Sequence, residues 1–314
     1  MQIRYGRADL RGELMDRLNT SLPAVAAPMF LVSGPALVAA TCTSGMVAAF
    51  PSLNARTTED FRDWMRQLQD QHTPQSAAFA VNLVTHRSNP RFAADLQACV
   101  EARVPLIITA LGSPTPAIEA VNAYGGLVFA DVNTPALARK AAAAGADGLI
   151  LVCCGAGGHT GTLSPFAFVD EVRQFFDGPV VVAGGISTGG AIRAVRAMGA
   201  DLAYLGTRFL AARESLAVED FKAMVINSDF GDIMATDAIT GALANKLRPS
   251  LVRAGVDPES LVSGRPFDLT KLDENTRKWR DLWSAGHGVG QVKTSESAED
   301  IVASLMQGYL GAAA

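Results

Sequence analysis

The 314-residue chain has few cysteines, few charges and no block of one charge sign. Its four cysteines, Cys42, Cys99, Cys153 and Cys154, are too few and too irregularly spaced for a disulfide framework. Cys153 and Cys154 are neighbours with His159 five residues on, but further ligands at metal-site spacing are lacking. Buried free thiols and no metal are therefore expected. Basic residues number 27 and acidic ones 31, for a net charge of −4, and lysine or arginine blocks are absent, so nucleic acid is not an expected partner. Long apolar runs are also missing. Residues 22–55 carry no charge, yet Pro23, Pro28, Gly34, Pro35, Gly45 and Pro51 interrupt them, which argues against a membrane span. Asp9, Glu13 and Asp16 make the opening stretch unlike a signal peptide, so a cytoplasmic location is expected.

What the chain does have is apolar content, 49% against 18% charged, as in a well-buried α/β protein. The middle repeats one unit. Residues 141–147 end in Gly145-Ala146-Asp147 and lead into an apolar run at Gly148, and Gly199-Ala200-Asp201 leads into another at Leu202. Each time an alanine-rich helix stops at glycine and an aspartate opens a strand. Eight strands are expected, beginning near Ala24, Met46, Ala78, Leu106, Leu127, Gly148, Val180 and Leu202. Helical patterns fill the gaps at 35–41, 58–69, 91–102, 115–123, 135–144, 165–176 and 189–198.

This alternation predicts an α/β fold, a TIM (β/α)8 barrel with a largely helical inserted lobe. A doubly wound open sheet is the alternative, but Pro28-Met29-Phe30 stands where its glycine fingerprint would follow the first strand. The barrel is assigned to residues 1–213 and 284–314, and the lobe, covering the active site, to 214–283. Helical stretches are expected there at 218–227 and 240–247, and a final helix at 297–310 closes the barrel.

Three strand ends carry the chemistry. The run 148–154 empties into Gly155-Ala156-Gly157-Gly158-His159-Thr160-Gly161, the next strand ends in Gly184-Gly185, and the last in Gly206-Thr207. The latter two are where this fold cradles phosphate, because glycine lets backbone N–H groups approach an anion. They could also be no more than tight turns. His159 falls on the same face, and an imidazole can exchange a proton with a weakly acidic carbon or a developing anion. Asn82 ends a buried strand with an amide that needs partners, either a loop cap or a cofactor edge. Pro28-Met29 could wall a ring. His72, His86 and His287 read as structural, His287 least so because of its glycine-rich setting.

At these residues the chain resembles the nitronate monooxygenase family, formerly called 2-nitropropane dioxygenases, whose FMN-binding barrel is shared with FMN-dependent enoyl-acyl-carrier-protein reductases and some quinone reductases. The resemblance runs over 25–213 and resumes at 283–290. It implies FMN, with phosphate at Gly184, Gly185, Gly206 and Thr207. Ala27, Pro28, Met29, Asn82, Val152, Gly157, Gly158 and Leu205 would lie along the rest of the cofactor. His159 matches the family's catalytic histidine, and Thr240-Gly241 a segment that folds over the mouth. Two departures stand out: Val152 replaces the Gln or Asp of many relatives, and Asp131 replaces the Lys of some.

The resemblance implies oxidation of alkyl nitronates or nitroalkanes with O2 to a carbonyl compound and nitrite. The partners implied are that small molecule and O2, with a homodimer left open. An NAD(P)H-dependent reductase of enoyl thioesters or quinones is the alternative, and a non-redox barrel taking a phosphorylated metabolite is a third.

Overall fold

Apolar runs bounded by glycine and proline become strands, and the alanine-rich or amphipathic stretches between them become helices. The computed structural model describes residues 4–239, 241–262 and 282–311. After helix α1 (Ala8–Arg17) the chain alternates through β1 (Ala24–Ala26), α2 (Pro35–Thr43), β2 (Val47–Pro51), α3 (Thr58–Gln71) and β3 (Phe79–Val84). It continues with α4 (Phe92–Glu101), β4 (Leu106–Ala110), α5 (Thr115–Asn122), β5 (Leu127–Val132), α6 (Pro135–Ala143) and β6 (Gly148–Val152). A two-residue strand β7 (Gly158–His159) leaves the barrel before α7 (Pro165–Arg173), β8 (Val180–Ala183), α8 (Gly189–Ala197) and β9 (Leu202–Leu205).

Strands β1 to β6, β8 and β9 form a closed barrel in chain order, and parallel pairing of β9 with β1 completes it. Each begins within one residue of its expected start. The two-residue period of a strand sorts the side chains. Val25, Val47, Ala49, Ala80, Ile108, Phe129, Ile150 and Val181 point inward and form one cluster with Leu10, Leu14 and Leu18. Helix α1 thus plugs the N-terminal end, a role the sequence pattern did not reveal. The alternate positions pack outward under the helices. Continuing the inward parity toward the C-terminal end places Ala27, Asn82, Asp131, Val152 and Tyr204 in the next layer.

The repeated Gly-Ala-Asp has a physical reason. Asp147 N–H donates to Val128 O at 2.9 Å and its Oδ2 accepts from Val128 N–H at 2.9 Å. Asp201 pairs with Val180 in the same way, at 2.7 and 2.8 Å. The aspartate clamps the entry of its strand to the preceding one. Asp201 also receives Arg11 and Arg173, each at 2.6 Å, tying α1 and α7 to the barrel floor.

After β9 come α9 (Glu219–Ile226), β10 (Ile233–Thr236), β11 (Ala244–Leu247) and α10 (Arg248–Arg253). The expectation of a helix at 240–247, in a lobe without strands, is corrected here. Ala244 to Leu247 pair antiparallel with Ile233 to Thr236, and Ala244 and Asn245 pair with His159 and Gly158. Pairing partners on both sides override the local helical pattern. Thr240 lies outside the described residues, as does 263–281. The final helix α11 (Ala298–Leu310) packs between α8 and α2 and fills the last place in the helical ring, as expected. Among the described residues no helix is long and apolar enough to cross a membrane.

Candidate active site

The glycine loops meet at the C-terminal end of the barrel. Gly184, after β8, has φ +137°, and a Cβ there would lie 2.5 Å from the Cys154 carbonyl oxygen. Only glycine lets this loop lie against the one after β6. Gly185 N–H and His287 N–H both donate to Gly155 O, at 3.2 and 2.9 Å. A Cβ on Gly157 would meet Gly286 N at 2.7 Å. Gly286 N–H in turn donates to Thr207 Oγ1 at 2.8 Å, which leaves the Thr207 O–H to donate elsewhere. The loops after β6, β8 and β9 are thereby joined to the 285–288 segment in one surface.

Beside it, Ala27 N–H donates to Leu205 O at 2.9 Å, and Ala27 and Met29 lie 3.7 Å from where a Cβ on Gly206 would stand. The Pro28-Met29 turn is held by Asn54, whose amide donates to Met29 O and Ser33 O at 2.9 and 2.8 Å. Ser187 Oγ, at the end of the Gly184-Gly185 loop, is buried without a hydrogen-bond partner among the described residues. Backbone bared at Gly184 and Gly157, with hydroxyls left to donate, suits an anionic phosphate.

His159 sits on β7, held over the mouth by pairing with Ala244. It is exposed by area, yet the protein mass around the mouth, and then the nearby Lys246 charge, push its pKa down to about 4. Solvent at its open edge moderates that push, and the ring is neutral at pH 7. Lys246, on β11, is buried; its Nζ donates to Leu282 O at 3.3 Å, and burial lowers its pKa to about 8. It remains mostly a cation at neutral pH, facing a neutral imidazole. Asn245 braces the histidine loop, donating to Ala156 O at 2.7 Å. At the rim, His287 meets the exposed Phe230 edge-on, with ring centroids 4.7 Å apart.

Beneath lies the inward layer. Asn82 is buried and donates to Ile108 O at 3.2 Å, keeping its carbonyl oxygen for another partner. Val152 is half-buried on the same layer. Asp131 and Tyr204 share this layer, and the pKa of Asp131 is pushed up by burial to about 7.

The structure thus brings together Ala27, Pro28, Met29, Asn82, Val152, Gly157, Gly158, His159, Gly184, Gly185, Leu205, Gly206 and Thr207 at one end of the barrel. Sequence reasoning missed Lys246, Asn245, Ser187 and Tyr204. Ala244-Asn245-Lys246-Leu247 has no two-residue alternation, so the sequence offered no strand signal for the first two. One expectation about the thiols is corrected: Cys42, Cys99 and Cys153 are buried but Cys154 is exposed; Cys153 still pairs with Ala183 beside β6, whereas Cys154 N–H turns away to Leu163 O. At the opposite end a concavity of about 410 Å³, lined by Arg7, Arg17, Asn122 and Asp147 among others, contains none of the expected site residues.

The sequence pattern of the nitronate monooxygenase family matches residues 52–308. A nitronate monooxygenase of Paraburkholderia phytofirmans is 29% identical over 79% of each chain. A hydroxy-methyl-oxo-octahydroindene-carboxyl-CoA dehydrogenase of Rhodococcus jostii is 28% identical, over 78% of this chain and 68% of that one. Among solved structures, nitroalkane oxidase of Streptomyces ansochromogenes superposes with a TM-score of 0.80 at 27% identity, covering 95% of this chain and 98% of the other. A point variant of FabK from Thermotoga maritima also gives 0.80, at 25% identity, covering 95% of this chain and 96% of the other.

Proposed function

The chain belongs to the nitronate monooxygenase family and is a flavin-dependent oxidoreductase, and from that premise we propose that it binds FMN and oxidises alkyl nitronates with O2 to a carbonyl compound and nitrite. Gly184, Gly185, Gly206, Thr207 and Ser187 would hold the phosphate. Ala27, Pro28, Met29, Asn82, Val152, Gly157, Gly158 and Leu205 would line the rest. Bound FMN would supply electron transfer between substrate and O2.

The observation that carries the reading is a neutral His159 beside a cationic Lys246 at the mouth, above the cradle. A nitronate is an anion, and a half-desolvated ammonium offers it a favourable partner. The neutral imidazole can hydrogen-bond a nitronate oxygen, or accept the proton from carbon when a neutral nitroalkane arrives. Burial and the Lys246 charge both lower the basicity of this ring toward a carbon acid, so preformed nitronates are the better substrates. The β10–β11 pair brings Lys246 to the mouth and so helps to set which anions enter.

The test follows nitrite release and O2 uptake by the FMN-loaded protein with a nitroalkane and its preformed nitronate. His159→Asn should depress turnover of the nitroalkane more than that of the nitronate. Equal loss on both counts against the base role.

A second reading, reduction of a thioester or quinone by NAD(P)H, draws support from the CoA-ester dehydrogenase among the relatives. It also draws support from the Phe230–His287 pair, an aromatic ledge at the rim able to stack a flat heterocycle. Fast reduction of the flavin by NADH or NADPH would favour it.

A further inference from the structure

Asp131 and Tyr204 stand out among the buried polar groups. Both point inward by strand parity, from β5 and from β9, at the level where the barrel opens toward the loops. Asp131 Oδ1 and Tyr204 Oη are each buried with no hydrogen-bond partner among the described residues. They are near enough for the Asp131 charge to raise the Tyr204 pKa further, after burial, yet they do not bond each other. A buried polar atom left unsatisfied costs about 1–3 kcal/mol. Phenylalanine and leucine would fill the same layer without that cost, as Phe129 and Leu127 do in the layers below on β5. Such a cost is expected where the partner is a ligand.

The surroundings decide which ligand atoms suit the pair. On β6 Asp131 is in register with Ile150, and the next inward positions on the flanking strands are Ala110 on β4 and Val152 on β6, none of them ionisable. The titratable group whose charge couples to Asp131 is Tyr204. Helices α5 and α6 pack on the outer face of β5; their charged residues are Glu119, on α5, and Arg139 and Lys140, on α6, with Arg139 paired to Glu171 at 2.9 Å. With no cation among the described residues lowering it, burial pushes the carboxyl pKa up to about 7, so the proton is held below neutrality and lost above it. Below that pKa the layer presents two neutral O–H donors. Donors in a dry site select acceptors, such as the carbonyl oxygens and imine nitrogens on the edge of a heterocyclic ring.

We propose that Asp131 and Tyr204 form a neutral donor pair that hydrogen-bonds acceptor atoms of the flavin ring, so that this chain recognises the ring without a cation at the end of its fifth strand. The inference rests on the reading that FMN is the cofactor. It assigns to both residues a binding role and to neither a chemical step.

The test is FMN affinity of the flavin-stripped protein, read by quenching of FMN fluorescence at pH 6, 7.5 and 9, for wild type, Asp131→Asn, Asp131→Leu and Tyr204→Phe. Circular dichroism confirms that each variant is folded. Ionisation of Asp131 removes its donor, so wild-type Kd should rise above the carboxyl pKa by up to about tenfold per pH unit. Asp131→Asn keeps a neutral donor and should hold its affinity from pH 6 to 9. Comparison with this variant also cancels titration of the FMN phosphate. Tyr204→Phe should weaken binding by about two- to tenfold at every pH, and Asp131→Leu by a similar factor at pH 6. A wild-type profile that parallels that of Asp131→Asn, or wild-type affinity in Tyr204→Phe and Asp131→Leu, would overturn the inference while leaving FMN as cofactor. Failure of the wild type to bind FMN at any pH would overturn both.

Discussion

Gly184→Ala is the sharpest perturbation of the cradle. Its methyl group would lie 2.5 Å from the Cys154 carbonyl oxygen, on a backbone at φ +137°. The atom it meets is backbone in the neighbouring loop and has no rotamer by which to retreat. Holding a non-glycine residue in such a conformation costs about 1–3 kcal/mol before the clash is counted. If the loop keeps its shape, the cost appears as lost stability. If it relaxes, the cost appears when FMN forces it back, as a rise in Kd of about 5- to 150-fold. The two losses should sum to at least the strain. Urea denaturation of the flavin-stripped protein reads the first and FMN fluorescence quenching the second. Gly190→Ala, on the exposed first turn of α8 with its nearest neighbour at 4.0 Å, is the control. It should leave binding unchanged and add up to about 1 kcal/mol of stability. Unchanged stability and unchanged FMN affinity in Gly184→Ala would refute the cradle argument.

Three further outcomes are expected. Lys246→Met should raise KM for anionic nitronates, and the wild-type KM should rise above about pH 8 as the ammonium loses its proton; steady-state kinetics across the neutral to alkaline range check both. The folded pKa of His159 is depressed from 6.5 to about 4, so between those values the unfolded chain binds more protons and stability falls as pH falls. His159→Asn should flatten that part of the stability profile in urea titrations across the same window. Asp201→Asn breaks a buried carboxylate away from Arg11 and Arg173. It should cost about 2–3 kcal/mol in urea denaturation, below the usual range for a buried pair because both arginines reach water.

The barrel was legible because its signals are local. Each barrel strand except β3 is an apolar run with glycine or proline close by, and each Gly-Ala-Asp marks a helix end and a strand start within a few residues. The glycine loops and His159 were legible for the same reason, since strand ends in a parallel barrel share one face. Lys246 was not. Its strand exists because β10, just upstream, and β7, some way back in the chain, pair with it on either side, and the apolar-polar-polar-apolar run 244–247 reads locally as helix. Tyr204 was read as one more apolar strand residue. Its role emerges only when the barrel closes and brings its hydroxyl near Asp131. Helix α1 went unremarked because plugging the barrel floor needs only three leucines.

The most direct test of the central claim is anaerobic mixing of the FMN-loaded protein with a primary alkyl nitronate and, separately, with NADH and NADPH, following flavin absorbance. The account predicts bleaching by the nitronate and none by the nucleotides on the same timescale. Rapid bleaching by a nucleotide, with the nitronate inert, would contradict it and identify a reductase.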